Sequence, residues 1–187
     1  MLAPSSLSYS LNYEVIKEIY KLDKDIFNKM ISGSFENFIN NFSTGDLLSL
    51  YKDFYSEMNS LDNNKFISNL YIIQSHEQHK IAKSIFDNKK NNSKREEDLN
   101  NFVSFVLDKY EDKIDSFSPE DTFNFLSFAS KAPTEKIKEH IEKRKVKIQQ
   151  FLKTADTNDL RKHFANTSEN ELKVIFSSLK KCKYIIQ

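Results

Sequence analysis

The chain has 187 residues, of which 39% are hydrophobic and 29% are charged, and its formal net charge is +1 at pH 7. This balance is ordinary for a protein with a folded core and excludes a chain that is disordered throughout, so one continuous folded unit is expected. Only two glycines and three prolines occur, whereas sheet-rich proteins need many such residues in their turns, which favours helices. Cys182 is the only cysteine, which excludes an intrachain disulfide and a zinc site built on several thiolates.

Residues 1–11 are predicted to be a leader that is poorly ordered or extended. The opening stretch MLAPSSLSYSLN is rich in serine and free of acids but has no arginine, so it carries only part of an organelle transit signal. It also lacks the basic start and the apolar middle of a secretory signal. No apolar run approaches the roughly 20 residues that span a bilayer. An intracellular protein of the cytoplasm or mitochondrion, without membrane insertion, is therefore expected.

Residues 12–87 are predicted to form an N-terminal helical half. Apolar residues recur at spacings of three and four over residues 12–31, which predicts one long helix, and again over residues 47–58. Ser75 is expected to cap or kink the last helix of this half. The capping residues that mark the other helix starts are Ser34, Ser43 (with Asp46 in a variant capping box) and Asp62.

Residues 88–95 are polar, rich in asparagine and free of apolar side chains, which is typical of a linker. A boundary between two helical halves is expected here. The C-terminal half, residues 96–187, begins with an apolar stripe from Leu99 to Ile114 that predicts another helix. The last third of the chain is basic.

The segment SPEDTFNFLSFASK carries the clearest helix start in the chain. Ser118 stands at the N-cap, Pro119 at the first helical position and Asp121 at the capping-box position. Apolar residues cover much of the girth of the helix that follows, so this helix should be buried. Three further helices are predicted. One spans about residues 134–152, a short one follows Thr157, and the last begins at a capping box formed by Ser168 and Glu171.

The predicted fold is therefore all-α, with eight or nine helices and no strand. The architecture is expected to be an irregular multi-helix bundle or a short helical-hairpin, solenoid-like array of about eight helices. Three segments, FSTGDLLSLYKDF, FSPEDTFNFLSFASK and NTSENELKVIFSSLKKCKY, repeat one layout of hydroxyl cap, acid and dense apolar helix. Their spacing suits a period of roughly 37 to 39 residues with one degenerate unit.

Two of these segments, SENELKVIFSSLKKCKY and SPEDTFNFLSFASK, resemble the units of heptatricopeptide and octotricopeptide repeats. Those helix-pair repeats belong to RNA-associated proteins of organelles. The resemblance covers about a third of the chain and implies stacked helix pairs and an association with RNA. It carries no functional residue over to this sequence.

Groups suited to catalysis are few. His76 and His79, with Glu77 between them, could share one helix face, but further metal ligands are not evident, so solvent-facing histidines at a helix start are the favoured interpretation. Cys182 has no evident general base. No phosphate-binding loop and no nucleophile-elbow motif occurs in the sequence. The chain is predicted not to be an enzyme, and no cofactor is expected.

The charges are distributed unevenly along the chain. Residues 96–121 carry nine acids and two bases, whereas residues 131–183 carry fourteen bases and seven acids. On a helical projection, four basic residues of the segment near residue 140 fall on one face beside an apolar stripe. Lysine stems covering the core edge, an acidic surface on a partner, or a phosphate backbone could each explain this basic ridge. The ridge consists of Lys136, His140, Lys143 and Lys147.

These features predict a non-catalytic helical interaction module, an accessory or structural subunit of a larger macromolecular assembly, with other protein subunits as its partners. The alternative is an RNA-associated helical-repeat protein of a mitochondrial ribosome or RNA-processing complex, which would bind the phosphate backbone through its basic C-terminal third. The oligomeric state stays open. The residues predicted to contact a partner or phosphate are Lys136, His140, Lys143, Arg144, Lys147, Lys180 and Lys181.

Overall fold

The structure is a computed structural model that describes residues 13–33, 35–86 and 92–156, and residues 169, 172, 173 and 175–177. It confirms the all-α prediction: these parts of the chain contain ten bounded helices and further helical residues between 169 and 177, and no strand. None of the ten helices is long and apolar enough to cross a membrane. The helices are α1 (Tyr13–Leu22), α2 (Lys24–Ser32), α3 (Phe35–Ile39), α4 (Thr44–Asp53), α5 (Tyr55–Ser60), α6 (Asn63–Phe86), α7 (Asn92–Lys109), α8 (Glu111–Asp115), α9 (Pro119–Ala129) and α10 (Thr134–Thr154).

The N-terminal segment contains two helices, so the prediction of one long helix over residues 12–31 was wrong. The carboxylate of Asp23 accepts hydrogen bonds from the backbone N–H groups of Asp25 and Ile26, which makes Asp23 the N-cap of α2. The helical spacing of apolar residues continues across this break, so periodicity alone does not reveal it. At the other end of α2, a Cβ atom on Gly33 would lie 2.6 Å from the carbonyl oxygen of Lys29, so only glycine fits this approach.

The other predicted helix starts agree with the structure where it describes them. Ser43 and Asp46 form a reciprocal capping box at α4. Ser118 accepts from the backbone N–H of Asp121, and a proline occupies the first turn of α9. Asp62 accepts from the backbone N–H of Lys65 at the start of α6. The predicted caps at Ser34 and Ser168, with its partner Glu171, lie outside the described residues, as does the start of the helix predicted to follow Thr157.

Three further predictions about helix continuity were wrong. The apolar stripe from Leu99 to Ile114 predicted one helix, but the structure divides it at Tyr110 into α7 and α8. α6 runs without interruption, so Ser75 neither caps nor kinks it; its side chain is exposed on the helix surface. The helix predicted over residues 47–58 is instead divided at Phe54 into α4 and α5. Phe54 is buried, and its ring packs 4.6 Å from that of Phe27, measured between ring centroids. Tertiary packing of a large aromatic side chain accompanies this break, and local periodicity does not report such packing.

One hydrophobic core joins the residues before and after the predicted linker. α7 packs against α4, α6, α8 and α9, and the ring of Tyr51 on α4 lies 5.3 Å from that of Phe102 on α7. α9 is buried around most of its girth, as predicted, and all of its phenylalanines belong to the core. α7 begins at Asn92, so the end of the predicted linker, residues 88–95, is helical. The contact between α4 and α7, which are distant in sequence, makes the fold an irregular bundle.

Lysine side chains hold the ends of several short helices. Each donates its ammonium protons to backbone carbonyl groups at or just after the C-terminal end of another helix, where the last four carbonyls lack partners within the helix. These contacts join residues 30 to 54 positions apart in sequence. The pairs are Lys65 with Gly33 (2.7 Å), Lys80 with Phe42 (2.8 Å), Lys113 with Asn59 (2.9 Å) and Leu61 (2.6 Å), and Lys147 with Asp115 and Phe117 (2.7 Å).

Replacement of Lys113 by methionine should destabilise the fold. The lysine is buried and caps α5 through two carbonyls, and its ammonium lies 5.2 Å from the ring centroid of Phe66. Methionine keeps the length and apolar contacts but leaves both carbonyls without this donor, so the free energy of unfolding should fall by about 1–3 kcal/mol. Urea denaturation measures the change. The exposed Lys94→Met is the matched control, and an equal loss in both variants would contradict the capping role.

Candidate functional site

The basic ridge of α10 faces the acidic segment of the same molecule. The side chain of Lys136 forms an ion pair with Asp108, and Lys143 pairs with Glu111 at 2.9 Å. Arg144 donates to Asp115 at 2.6 Å between Nη2 and Oδ1. We call this set of contacts between α10 and the α7–α8 region the charged seam. Three bases of the basic segment therefore pair with acids of the acidic segment within one chain.

Two of the residues predicted to contact a partner are buried, which corrects their assignment to a surface. His140 is 4% exposed and Arg144 is 6% exposed. The His140 ring packs 5.5 Å from that of Phe125 on α9, so the ridge lies at the core edge instead of in solvent. Lys136 and Lys143 remain partly exposed, with 36% and 49% of their side-chain surface open. Lys180 and Lys181 lie outside the described residues.

His140 and Arg144 form a buried polar pair, because His140 Nδ1 and Arg144 Nη1 are 3.2 Å apart. A guanidinium can only donate, so Nδ1 must accept and the ring proton must lie on Nε2. Burial, together with the nearby charges of Arg144 and Lys143, lowers the pKa of His140 to about 3. The imidazole is therefore neutral at physiological pH. Nε2 has no hydrogen-bond partner among the described residues.

A second feature, the α6/α9 groove, is an open cleft of about 800 Å³. It runs beside α6, with α9 opposite and α3 at one end. Most of its lining residues carry amide, hydroxyl or imidazole groups. The lining residues used below are Glu36, the α6 positions from Asn64 to His79, and Asp121, Asn124 and Ser127.

Two α6 side chains join the groove walls by donating to carbonyls of α9. The Tyr71 hydroxyl donates to the carbonyl of Asn124, and Gln74 Nε2 donates to the carbonyl of Ser127 at 3.3 Å. Gln74 is 4% exposed, and its Oε1 has no donor within the described chain. The Asn124 Oδ1 atom is likewise buried without a described donor. The groove wall therefore contains acceptor oxygens whose hydrogen-bonding capacity is unused there.

His76 and His79 lie in the middle of α6, so their predicted position at a helix start was wrong. Both line the groove; His76 is half-buried and His79 is exposed. Burial is the main cause of a lowered pKa at His76, and nearby Lys80 adds to it. Glu77 turns to the opposite side, where its fully buried carboxylate accepts from the Thr44 hydroxyl at 2.7 Å. Within the described ranges, no group of three or more histidine, cysteine and acidic residues could hold a metal ion.

The sequence did contain a signal for this groove. Polar residues recur along one side of α6, at Asn64, Ser68, Ser75 and Gln78, with the helical spacing of a continuous face. Such a face is usually solvated, and only the position of α9 turns it into the wall of a cleft. No protein-family model matches this chain, and comparisons with curated proteins and with solved structures produced no match.

The neutral state of His140 predicts loss of stability in acid. The pKa is depressed in the native state and near 6.5 in the unfolded state, so stability is complete above 6.5 and falls as the pH approaches 3. Between pH 7 and pH 5 this group alone should remove about 2 kcal/mol from the free energy of unfolding. Urea denaturation at both pH values tests this. His140→Gln should lose that share of the pH dependence, whereas the exposed His79→Gln should keep it; identical pH profiles for all three proteins would refute the assignment.

Proposed function

We propose that this protein is a non-catalytic helical interaction module, an accessory or structural subunit of a larger assembly, and that the α6/α9 groove is its main contact surface. The groove carries this proposal. Its α6 wall extends from Asn64 to His79, about 22 Å at 1.5 Å per residue. That length suits a helix or an extended segment of a partner protein better than a small molecule.

The chemistry of the lining supports binding over catalysis. A serine nucleophile needs a base within hydrogen-bonding reach. Ser68 and Ser75 make no hydrogen bond to either groove histidine in the part of the chain that the structure describes. The two helices that form the walls are packed on the core, so they offer a rigid surface whose groups are placed before a partner arrives. Such preorganisation lowers the entropic cost of association.

The groove replaces the basic C-terminal third as the proposed contact surface. Four of the seven residues proposed from sequence hold other parts of the same chain: Lys136, Lys143, Arg144 and Lys147. A partner that used these cations would first have to displace their internal partners. The same argument weighs against the alternative, an RNA-associated helical-repeat protein that binds phosphate through this region.

Position-specific crosslinking tests the interaction surface. A photoreactive amino acid at the exposed groove position Ser75 should crosslink one partner polypeptide in extracts of the native source, because the partner lies in the groove. The purified partner should then form a complex of fixed stoichiometry with the wild-type chain, measured by sedimentation. The same probe at Asn101, exposed on α7, is the control. Equal crosslinking from both positions, or no stoichiometric complex, would refute the groove as the contact surface.

RNA binding tests the alternative function. We expect no saturable binding of a single-stranded RNA of about 20 nucleotides to the purified chain at low salt, because the cations of the charged seam are already paired. Fluorescence anisotropy over a salt series is the measurement. The alternative would gain support from affinity that falls steeply with salt and weakens in Lys143→Gln but not in Lys94→Gln, which removes an exposed cation outside the seam.

A further inference from the structure

The fixed charges that line the α6/α9 groove are negative. Glu36 on α3 and Asp121 on α9 both line it, and within the parts of the chain that the structure describes no lysine or arginine lies among its lining residues. The lysines of α6 near the groove are held elsewhere, because Lys65 donates to the carbonyl of Gly33 and Lys80 to that of Phe42. The groove is therefore an acidic cleft in a chain with a net charge of only +1.

The groove wall also contains buried hydrogen-bond acceptors that lack a donor among the described residues. Gln74 is nine-tenths buried or more, and it uses its amide donor on the carbonyl of Ser127 while its Oε1 lacks a donor among the described residues. Asn124 Oδ1 is a second buried acceptor without one. A buried acceptor left unpaired costs about 1–3 kcal/mol, so a ligand that supplies a donor is favoured. Among the described residues, the groove lining supplies these acceptors with neither a hydrogen-bond donor nor a lysine or arginine side chain.

We infer that the α6/α9 groove binds a basic segment of a partner protein and that arginine side chains of this segment enter the groove. A guanidinium offers five N–H donors in a fixed plane and stays charged, so one side chain can pair with a carboxylate and with an amide oxygen together. Charge complementarity with Glu36 and Asp121 favours this occupant over nucleic acid, whose phosphates the groove would repel. This inference rests on the proposed function and specifies the chemistry of the partner.

Fluorescence anisotropy of a labelled octa-arginine peptide with the full chain tests the inference. The peptide should bind saturably to the wild-type protein. Ser68→Lys combined with Ser75→Lys places two cations at exposed positions in the groove and should weaken binding at least tenfold. The control, Asn101→Lys with Gln150→Lys, adds the same charge at exposed positions that do not line the groove and should change binding less than twofold. Circular dichroism melting checks that each variant folds.

A second pair of variants keeps the test independent of added lysines. Glu36→Gln with Asp121→Asn removes both groove carboxylates and should also weaken peptide binding at least tenfold. Glu97→Gln with Asp112→Asn removes two exposed acids outside the groove and should leave it nearly unchanged.

Three outcomes would overturn the inference. One is equal weakening by groove and control variants, and another is tighter binding of an RNA oligonucleotide than of the peptide to the wild-type protein. The third is a crosslinked partner whose contacting segment has no arginine or lysine. That third result would leave the proposed function intact, whereas an absence of any partner at Ser75 would remove the proposed function itself.

Discussion

The fold depends on satisfying helix ends. The described residues form ten helices, six of them of ten residues or fewer, and therefore contain many terminal carbonyl groups. The chain has only two glycines to close helix ends in the usual left-handed turn. Lysine ammonium groups from distant helices take over this role at α2, α5 and α8, and Lys80 binds a carbonyl in the connection that follows α3. Each such contact also carries a positive charge to the negative end of a helix dipole. Lysine side chains therefore allow this chain to end many helices although it has few glycines.

In the charged seam, basic side chains of α10 likewise bind groups of the same chain, here the acids of the α7–α8 region. Isolated surface ion pairs contribute little to stability, and Lys136 and Lys143 belong to that class. Arg144 is different because it is buried and pairs with Asp115 on one side and contacts neutral His140 on the other. Removal of one partner there would leave a buried charge uncompensated. The acidic and basic segments of the sequence thus meet each other in the charged seam, inside one chain.

The sequence predicted the local features well and the distant ones poorly. The caps at Ser43, Asp62 and Ser118 and the burial of α9 follow from side chains within a few residues of each other, and they were correctly anticipated. The burial of His140 and the lysine contacts depend on which helix faces meet, and periodicity contains no information about that. A helical projection places His140 on a face; the packing of α9 decides whether that face meets solvent or the core. The groove was missed for the same reason.

α6 connects the stability of the fold with the surface proposed for binding. One side of this helix anchors the N-terminal helices: Asn69 donates to the carbonyl of Ile31, Lys80 to that of Phe42, and buried Glu77 accepts from Thr44. The other side forms the wall of the groove. Because side chains three and four positions apart stand on one rigid cylinder, the anchoring contacts fix the height and rotation of the groove wall. The cleft is therefore a consequence of how the N-terminal helices are tied to α6, and its shape is set before any partner binds.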